Sequence, residues 1–410
     1  MSLSDVKVIK ANGGLGRRTP TADGVSALLT TGVAVAGKLV LGTSYKIQNA
    51  ADIEALGINK AYDTANKVLL YYTISEIIRI NPNVTLWLMV APQATVMADL
   101  VDPTKTYAAK LLADAEYTIV QIAVSINPAE GYTPDPSGGL DSQVLTAIPK
   151  AQQLALYADS VHAPVSAIGL EGKGFNGTIT AATNLHTLES NKVSVIIAQD
   201  LSSEAAVSHP SHAAIGTWLG CVSKAGVNEN IGWPERFPLA SKVTGSFLKA
   251  GLSGGTAISS YTGEQLDQLD DKGYIFARII PQLPGVYFND SHTCTVLTDD
   301  YNRAELNRTM DKAIKQIRSV LLPKLQSPLL VDEETGYLQP VTIAVFTTDA
   351  ENEITNMKRA GEISGGSIYI DPAQNILTSN TLDVDVEIIP TGSAHTIRLR
   401  IGFNNPFKQN

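Results

Sequence analysis

Three stretches of this 410-residue sequence place reactive residue types at spacings that chemistry can use. Gly32-Val-Ala-Val-Ala-Gly37-Lys38 matches the first seven positions of a phosphate-binding loop, whose backbone N–H groups and lysine cradle phosphate. The eighth position is Leu39, where a Ser or Thr hydroxyl should ligate magnesium. Leu39–Ile47 then reads as strand, whereas such a loop must open a helix whose N-terminus holds the phosphate. Gly251-Leu252-Ser253-Gly254-Gly255 fits the GxSxG nucleophile elbow, with Asp267 and His292 following in the order a triad needs. A helix must follow that elbow directly, and Thr256-Ala-Ile-Ser-Ser-Tyr261 favours strand or loop. His209-Pro210-Ser211-His212 comes just after a strand ending in Asp200, where α/β proteins place their sites. With Asp200 or Glu204 this pair could hold a metal; alternatively Ser211 caps a helix over Ala213–Cys221 and both histidines are loop surface. His162, His186 and His395 read as structural or exposed, and Trp218 and Trp233 as packing residues. The expectation is no catalytic residue, no metal ligand and no cofactor site: not an enzyme.

The elements that would have to position such residues are legible in outline. With 44% hydrophobic and 17% charged residues the chain is globular, and at roughly 100–200 residues per domain its length suggests two or three domains. A net charge of −9 argues against a nucleic-acid footprint, and no apolar run reaches the roughly 18–20 residues that span a bilayer. The first residues, MSLSDVKVIKANGG, lack the apolar core of a signal peptide, and two cysteines, Cys221 and Cys294, fit a reducing compartment. Val84–Val90, Thr118–Ile126, Val165–Leu170 and Val193–Gln199 are apolar runs of the kind buried on both faces of a sheet. Helical segments alternate with them: a capped helix over 49–56 ending at Gly57, then 60–80, 93–101, 105–115, 141–159 and 178–190. Tyr132–Gly139 and Gly169–Gly177 read as glycine-rich connecting loops.

After about residue 270 strands gather around few helices. Tyr274–Ile280 and Val286–Asn289 flank a turn, and Val341–Phe346 and Ser367–Ile370 follow as strands with a helix near 350–361. Glu305–Leu325 is an amphipathic helix with Leu306, Met310, Ala313, Ile314, Ile317, Val320 and Leu321 on one face, expected to pack on the C-terminal sheet. The fold class expected is therefore an α/β core domain with a mainly parallel sheet, plus a smaller α+β C-terminal domain and extended β arms at both ends. The boundaries drawn are an N-terminal arm over 1–20, the core over 21–265 (with room for a subdomain), the C-terminal domain over 266–380 and a C-terminal strand arm over 381–410.

Several segments carry a family resemblance: Gly24-Val-Ser-Ala-Leu-Leu29, Val40–Gly57, Gly273-Tyr-Ile-Phe-Ala-Arg278, Val286-Tyr-Phe-Asn-Asp290, Tyr301–Arg308, Val384–Pro390 and Ile397–Ile401. In this order they are similar to the contractile tail sheath proteins of bacteriophages and prophages, the myovirus-type tail sheath family. The resemblance implies a subunit that polymerises as rings or a helix around an inner tail tube and contracts to drive that tube through a bacterial envelope. Its implied partners are copies of itself, the tube protein, and baseplate and tail terminator proteins, with no nucleic acid and no direct membrane insertion. Its implied place is the virion tail, assembled in the bacterial host cytoplasm. The sheath of a related non-phage contractile injection system is the alternative, and a metal-dependent α/β hydrolase using His209 and His212 the second.

The two ends are the expected assembly elements. Val6, Val8 and Ile9 lie in a β-prone strand cut off by Gly13-Gly14, and Ile397, Arg398, Leu399, Arg400 and Ile401 alternate apolar and basic side chains. Placing Gly392-Ser393 as a turn sets Ile388 against Ile397, Val386 against Leu399, Glu387 against Arg398 and Asp385 against Arg400. In an isolated subunit this pairing closes as a hairpin, and in the assembly the same strands are expected to add to sheets of adjacent subunits.

Overall fold

The apolar runs become strands of one sheet. In the computed structural model, which describes residues 22–403, β1 (Val25–Gly32) leads to β2 (Ser44–Ile47), α1 (Ala50–Ala55), α2 (Lys60–Asn66), α3 (Leu70–Ile80) and β3 (Thr85–Pro92). Next come α4 (Met97–Val101), α5 (Tyr107–Asp114), β4 (Gln121–Val124), the two-residue strands β5 (Pro136–Ser137) and β6 (Leu140–Asp141), and α6 (Ser142–Ser160). Then follow β7 (Ala167–Glu171), β8 (Val193–Ile196), β9 (Ala198–Asp200), α7 (Glu204–Ser208), α8 (Ile215–Lys224), β10 (Ala250–Leu252) and α9 (Gly263–Asp270). Short strands β11 (Tyr274–Ile275), β12 (Ala277–Arg278) and β13 (Tyr287–Phe288) precede α10 (Ala304–Leu321).

Seven strands form the central sheet in the order β11-β8-β7-β4-β1-β3-β2. All are parallel except β2, which pairs antiparallel with β3. Burial of β1, β3, β4, β7 and β8 on both faces is the reason these segments are continuously apolar rather than alternating. Asn49 caps α1 in a reciprocal capping box with Asp52, as its sequence indicates.

Other expectations change. The helix read over 60–80 is two helices, broken at Lys67 (φ +53°), because both Asp63 carboxylate oxygens accept the Tyr71 and Tyr72 N–H groups that open α3. The helix expected over 178–190 is only two short 3₁₀ turns, Ile179–Ala181 and Leu185–Thr187. Gly169 is not in a loop but in β7, where a Cβ would lie 2.3 Å from the Trp218 ring of α8. Gly216 of α8 likewise sits under the backbone of α3, a Cβ there falling 2.4 Å from the Thr73 carbonyl oxygen. The two glycines let Trp218, fully buried, and the α8 backbone approach as closely as they do.

The chain divides into two units at Leu325/Gln326 rather than at 265/266. Segment 266–325 belongs to the first unit because β11 adds to the central sheet beside β8. α10 belongs there too, and its flank toward the sheet is polar. Asn307, Arg308, Thr309 and Asp311 are buried, donating to backbone carbonyls at Asn191, Ala225, Gly226 and Val227 or pairing with Lys192. The apolar stripe read from the sequence holds buried Ala313 and Ile317, while Ile314 is 49% exposed and Lys312, on another face, pairs with Asp23 at 2.7 Å.

The second unit contains α11 (Pro340–Arg359), β14 (Ile363–Tyr369), α12 (Ile376–Ser379) and β15 (Asp385–Pro390). Val341–Phe346, expected as a strand, is the start of α11: Pro340 opens it, and Thr342, Phe346, Ala350, Ile354 and Met357 recur at helical spacing as its buried face. β14 and β15 pair antiparallel, with Ser367 opposite Glu387 and Ile368 opposite Val386. α11 packs on this ribbon, Ile354 lying over Gly366. Residues 391–403 form no strand, so β15 does not close the expected hairpin with 397–401. An isolated two-stranded hairpin is marginal, whereas β14 offers a partner already backed by a helix.

Two substitutions check this packing. Gly169→Ala should lower stability by about 1–3 kcal/mol through overpacking against Trp218, read as a lowered denaturation midpoint. Ile317→Ala should cost about 2–5 kcal/mol and Ile314→Ala markedly less, the opposite of two equal losses from a single uniform stripe.

Candidate functional site

A doubly wound sheet offers a ligand crevice where its strand order reverses, outside the carboxyl ends of the strands. Here that point lies between β1 and β4, since β3 follows β1 on one side and β4 returns to the other. The crevice is filled by the protein's own side chains. Thr30 and Ser125 hydroxyls meet at 2.8 Å across the two strand ends. Asn127 donates through Nδ2 to Thr30 Oγ1 and the Thr31 carbonyl, and its N–H donates to Thr31 Oγ1. Its Oδ1 accepts the Leu69 N–H at the start of α3. The helix N-terminus that could hold an anion is thus taken by Asn127 and by the Asp63 carboxylate. Burial pushes the Asp63 carboxyl up to about 6 despite those backbone donors. Asn127 escaped the sequence reading; a polar residue closing the apolar run of β4, facing Thr30-Thr31 at the end of β1, is the signal that could have found it.

The three near-motifs occupy structural positions. Val35 and Leu39 exchange two backbone hydrogen bonds of 3.0 Å around Gly37 (φ +71°), so the glycine-rich loop is a tight turn with Lys38 exposed. Ser253 is fully buried, donating to the Gly172 carbonyl and accepting from the Phe175 N–H at 3.2 Å, and no helix follows it directly. His292 turns to Asp270 (3.1 Å) and Asp290 (3.7 Å).

The histidine pair separates. His209 reaches the Lys67 carbonyl through Nε2 at 2.9 Å. His212 is not loop surface: it is buried, its Nδ1 lies 2.8 Å from the His209 carbonyl, and its ring meets Tyr72 edge-on at 5.8 Å. Nor does Ser211 cap α8; Ala214 stands at that cap position without a side-chain hydrogen bond. Among the described residues no group of three or more His, Cys, Asp or Glu is placed to hold a metal, and no helix is long and apolar enough to cross a membrane. His186, read as structural or exposed, is buried with Nδ1 2.6 Å from the Thr295 carbonyl.

The assembly residues divide likewise. Val6, Val8 and Ile9 lie outside the described residues. Residues 391–403 form no strand, and Ile397, Leu399 and Ile401 are 85%, 79% and 84% exposed. Across from them in composition, acidic residues outnumber basic ones eleven to two between Gln326 and Pro390, while 391–410 carries three basic residues and no acid. β14 and β15 are a two-stranded ribbon, so each has an outer edge unpaired among the described strands.

Residues 3–292 match the DUF2586 N-terminal domain and residues 300–408 the DUF2586 C-terminal domain. The chain belongs to the DUF2586 family. No curated protein sequence matches it. In three dimensions it is similar to a chain of the anti-feeding prophage (AFP) baseplate, at 15% identity and a TM-score of 0.61, covering 98% of this chain and 99% of that one. It is also similar to a chain of the PVC sheath complex of an extracellular contractile injection system in the contracted state, at 11% identity, TM-score 0.57 and 98% coverage of each. A chain of the contracted AFP baseplate matches at 10% identity and TM-score 0.56, over 98% and 97% of the two chains. This DUF2586 chain therefore has the fold of contractile sheath-type proteins, a mixed α/β fold with a mostly parallel central sheet.

His212 supplies a pH test. Burial lowers its pKa from 6.5 to about 3, so the folded state excludes the proton that the unfolded chain binds. Its contribution to stability is complete above pH 6.5 and is lost as pH falls toward 3, at up to about 1.4 kcal/mol per pH unit. His212→Gln should flatten that part of a stability–pH curve, while His209→Ala leaves its slope in place.

Proposed function

We propose that this chain is a structural, non-catalytic subunit of a contractile sheath. It polymerises around an inner tube and contracts to drive that tube through a bacterial envelope. The observation that carries the reading is the end-to-end likeness to injection-system chains, 98% of this chain against 99% and 98% of theirs. A closed switch-point crevice agrees with it, because a subunit that works by packing has no need of a ligand crevice there. In this reading the partners are copies of the chain, the tube protein, and baseplate and tail terminator proteins, and the assembly forms in the bacterial host cytoplasm. The same reading covers a virion tail and a non-phage injection device, and the names of the similar structures favour the latter.

The hydrolase reading loses its support. His209 commits Nε2 to the Lys67 carbonyl and His212 commits Nδ1 to the His209 carbonyl.

The terminal arms are proposed to link subunits. Ile397–Ile401 is exposed and alternates apolar with basic residues, and the C-terminal unit pairs an acidic composition with open strand edges. An extended segment of nine residues reaches about 30 Å, enough to cross a subunit boundary. Residues 395–403, and residues 6–9, are proposed to add there by main-chain hydrogen bonds, with Arg398 and Arg400 meeting acidic neighbours.

Negative-stain microscopy of concentrated protein should show tubes of uniform diameter. Deleting 391–410 should leave the thermal transition of the folded protein nearly unchanged and abolish the tubes. Normal tubes from the truncated chain would exclude trans pairing of this strand.

A further inference from the structure

Beside the closed crevice a cleft of about 1150 Å³ opens at the carboxyl ends of β4, β7 and β9, against α2 and α3. That volume is somewhat above the roughly 300–1,000 Å³ typical of ligand pockets. Its carboxylates are already engaged. Asp63 holds the Tyr71 and Tyr72 N–H groups, and Glu76 holds Arg79 and the Thr217 and Ser246 hydroxyls. Glu130 pairs with Lys67 and Glu204 with Lys60 at the exposed rim, and Asp200 accepts from Ser202.

Lys173 on the floor is different. It is 3% exposed, and its ammonium has one contact, 3.5 Å from Glu171 Oε1. That carboxylate is itself occupied by the Ile126 and Ala213 N–H groups. An ammonium carries three donors, and burying it with one long contact is costly unless something else accepts from it. The buried Tyr72 hydroxyl faces Ser203 in the same cleft without hydrogen-bond geometry, a second donor with nothing to donate to. Buried polar groups in folded proteins are nearly always satisfied, so two such donors lining one cavity call for an acceptor from outside.

The geometry points to an oxyanion site in this cleft: Lys173 and the Tyr72 hydroxyl bind a carboxylate or phosphate group of a small ligand. The engaged carboxylates leave donors, not acceptors, as the spare chemistry of the floor. The site is independent of the sheath reading, which concerns other surfaces.

Inorganic phosphate and citrate are titrated separately into the full-length protein by calorimetry and by thermal melting, with ionic strength held constant by chloride. Saturable heat is expected with at least one of them, with a melting temperature raised by roughly 2–4 °C at saturation. A response to phosphate alone assigns a phosphate ligand, and a response to citrate alone a carboxylate ligand. Lys173→Met should weaken binding at least tenfold, while Lys67→Ala at the rim leaves it unchanged. Should Lys173→Met fail to fold, Thr133→Trp on the exposed lip blocks the cleft and is expected to give the same loss. The inference is overturned by no saturable response of the natural protein to either probe. It is equally overturned by binding that survives Lys173→Met or, where that variant does not fold, Thr133→Trp.

Discussion

Arg308 ties together the amino edge of the central sheet. Its buried guanidinium donates to the carbonyls of Ala225 (3.0 Å) and Gly226 (2.9 Å) and reaches that of Asp23 (3.4 Å). Those carbonyls stand just before β1 and just after α8, so one side chain fixes segments far apart in sequence. Burial lowers the guanidinium to about 10, and Asp23, Glu305 and Glu229 act against that shift. The cost of desolvating such a group is met only where carbonyls and carboxylates surround it, which is why the flank of α10 is polar. Lys192 with Asp311, and Lys312 with Asp23, extend the same seam on either side.

The seam makes α10 the closing element of the first unit and not the first element of the second. Its consequence for the sheet is that the amino edge is locked by charge and hydrogen bonds. At the carboxyl edge Asn127 and Thr30 do the equivalent work at the switch point. The doubly wound sheet is thus closed at both places. The C-terminal unit is built otherwise. Its ribbon has two strands, one helix behind it and an acidic composition, and the segment after it exposes apolar side chains in alternation.

Much of this was legible in the chain. The run Val84–Val90 is apolar on both faces because β3 is covered on both faces, and Asn49 with Asp52 fixes the start of α1 by local hydrogen bonds alone. The failed eighth position of the glycine-rich loop and the missing helix after Ser253 already argued against two chemistries. Legibility failed where a residue's role is set by a distant partner. Gly169 looked like loop because nothing local shows Trp218 lying above it, and Lys192 and Asp311 are 119 positions apart in the chain. Val341–Phe346 misled for a different reason: its β-branched composition is strand-like, but the four-residue recurrence of Thr342, Phe346 and Ala350 decides for helix.

By itself the sequence determined the strand–helix alternation, the parallel sheet, the Asn49 cap and the basic, β-prone character of the C-terminal segment. These follow from periodicities and hydrogen bonds spanning a few residues. Only the tertiary structure decided which flank of α10 is buried, that β15 pairs with β14 and not with 397–401, and that His209 and His212 part company. Each of those choices is a competition between partners remote in sequence. Amphipathic pattern records that a side chain prefers burial, but not which surface arrives to bury it.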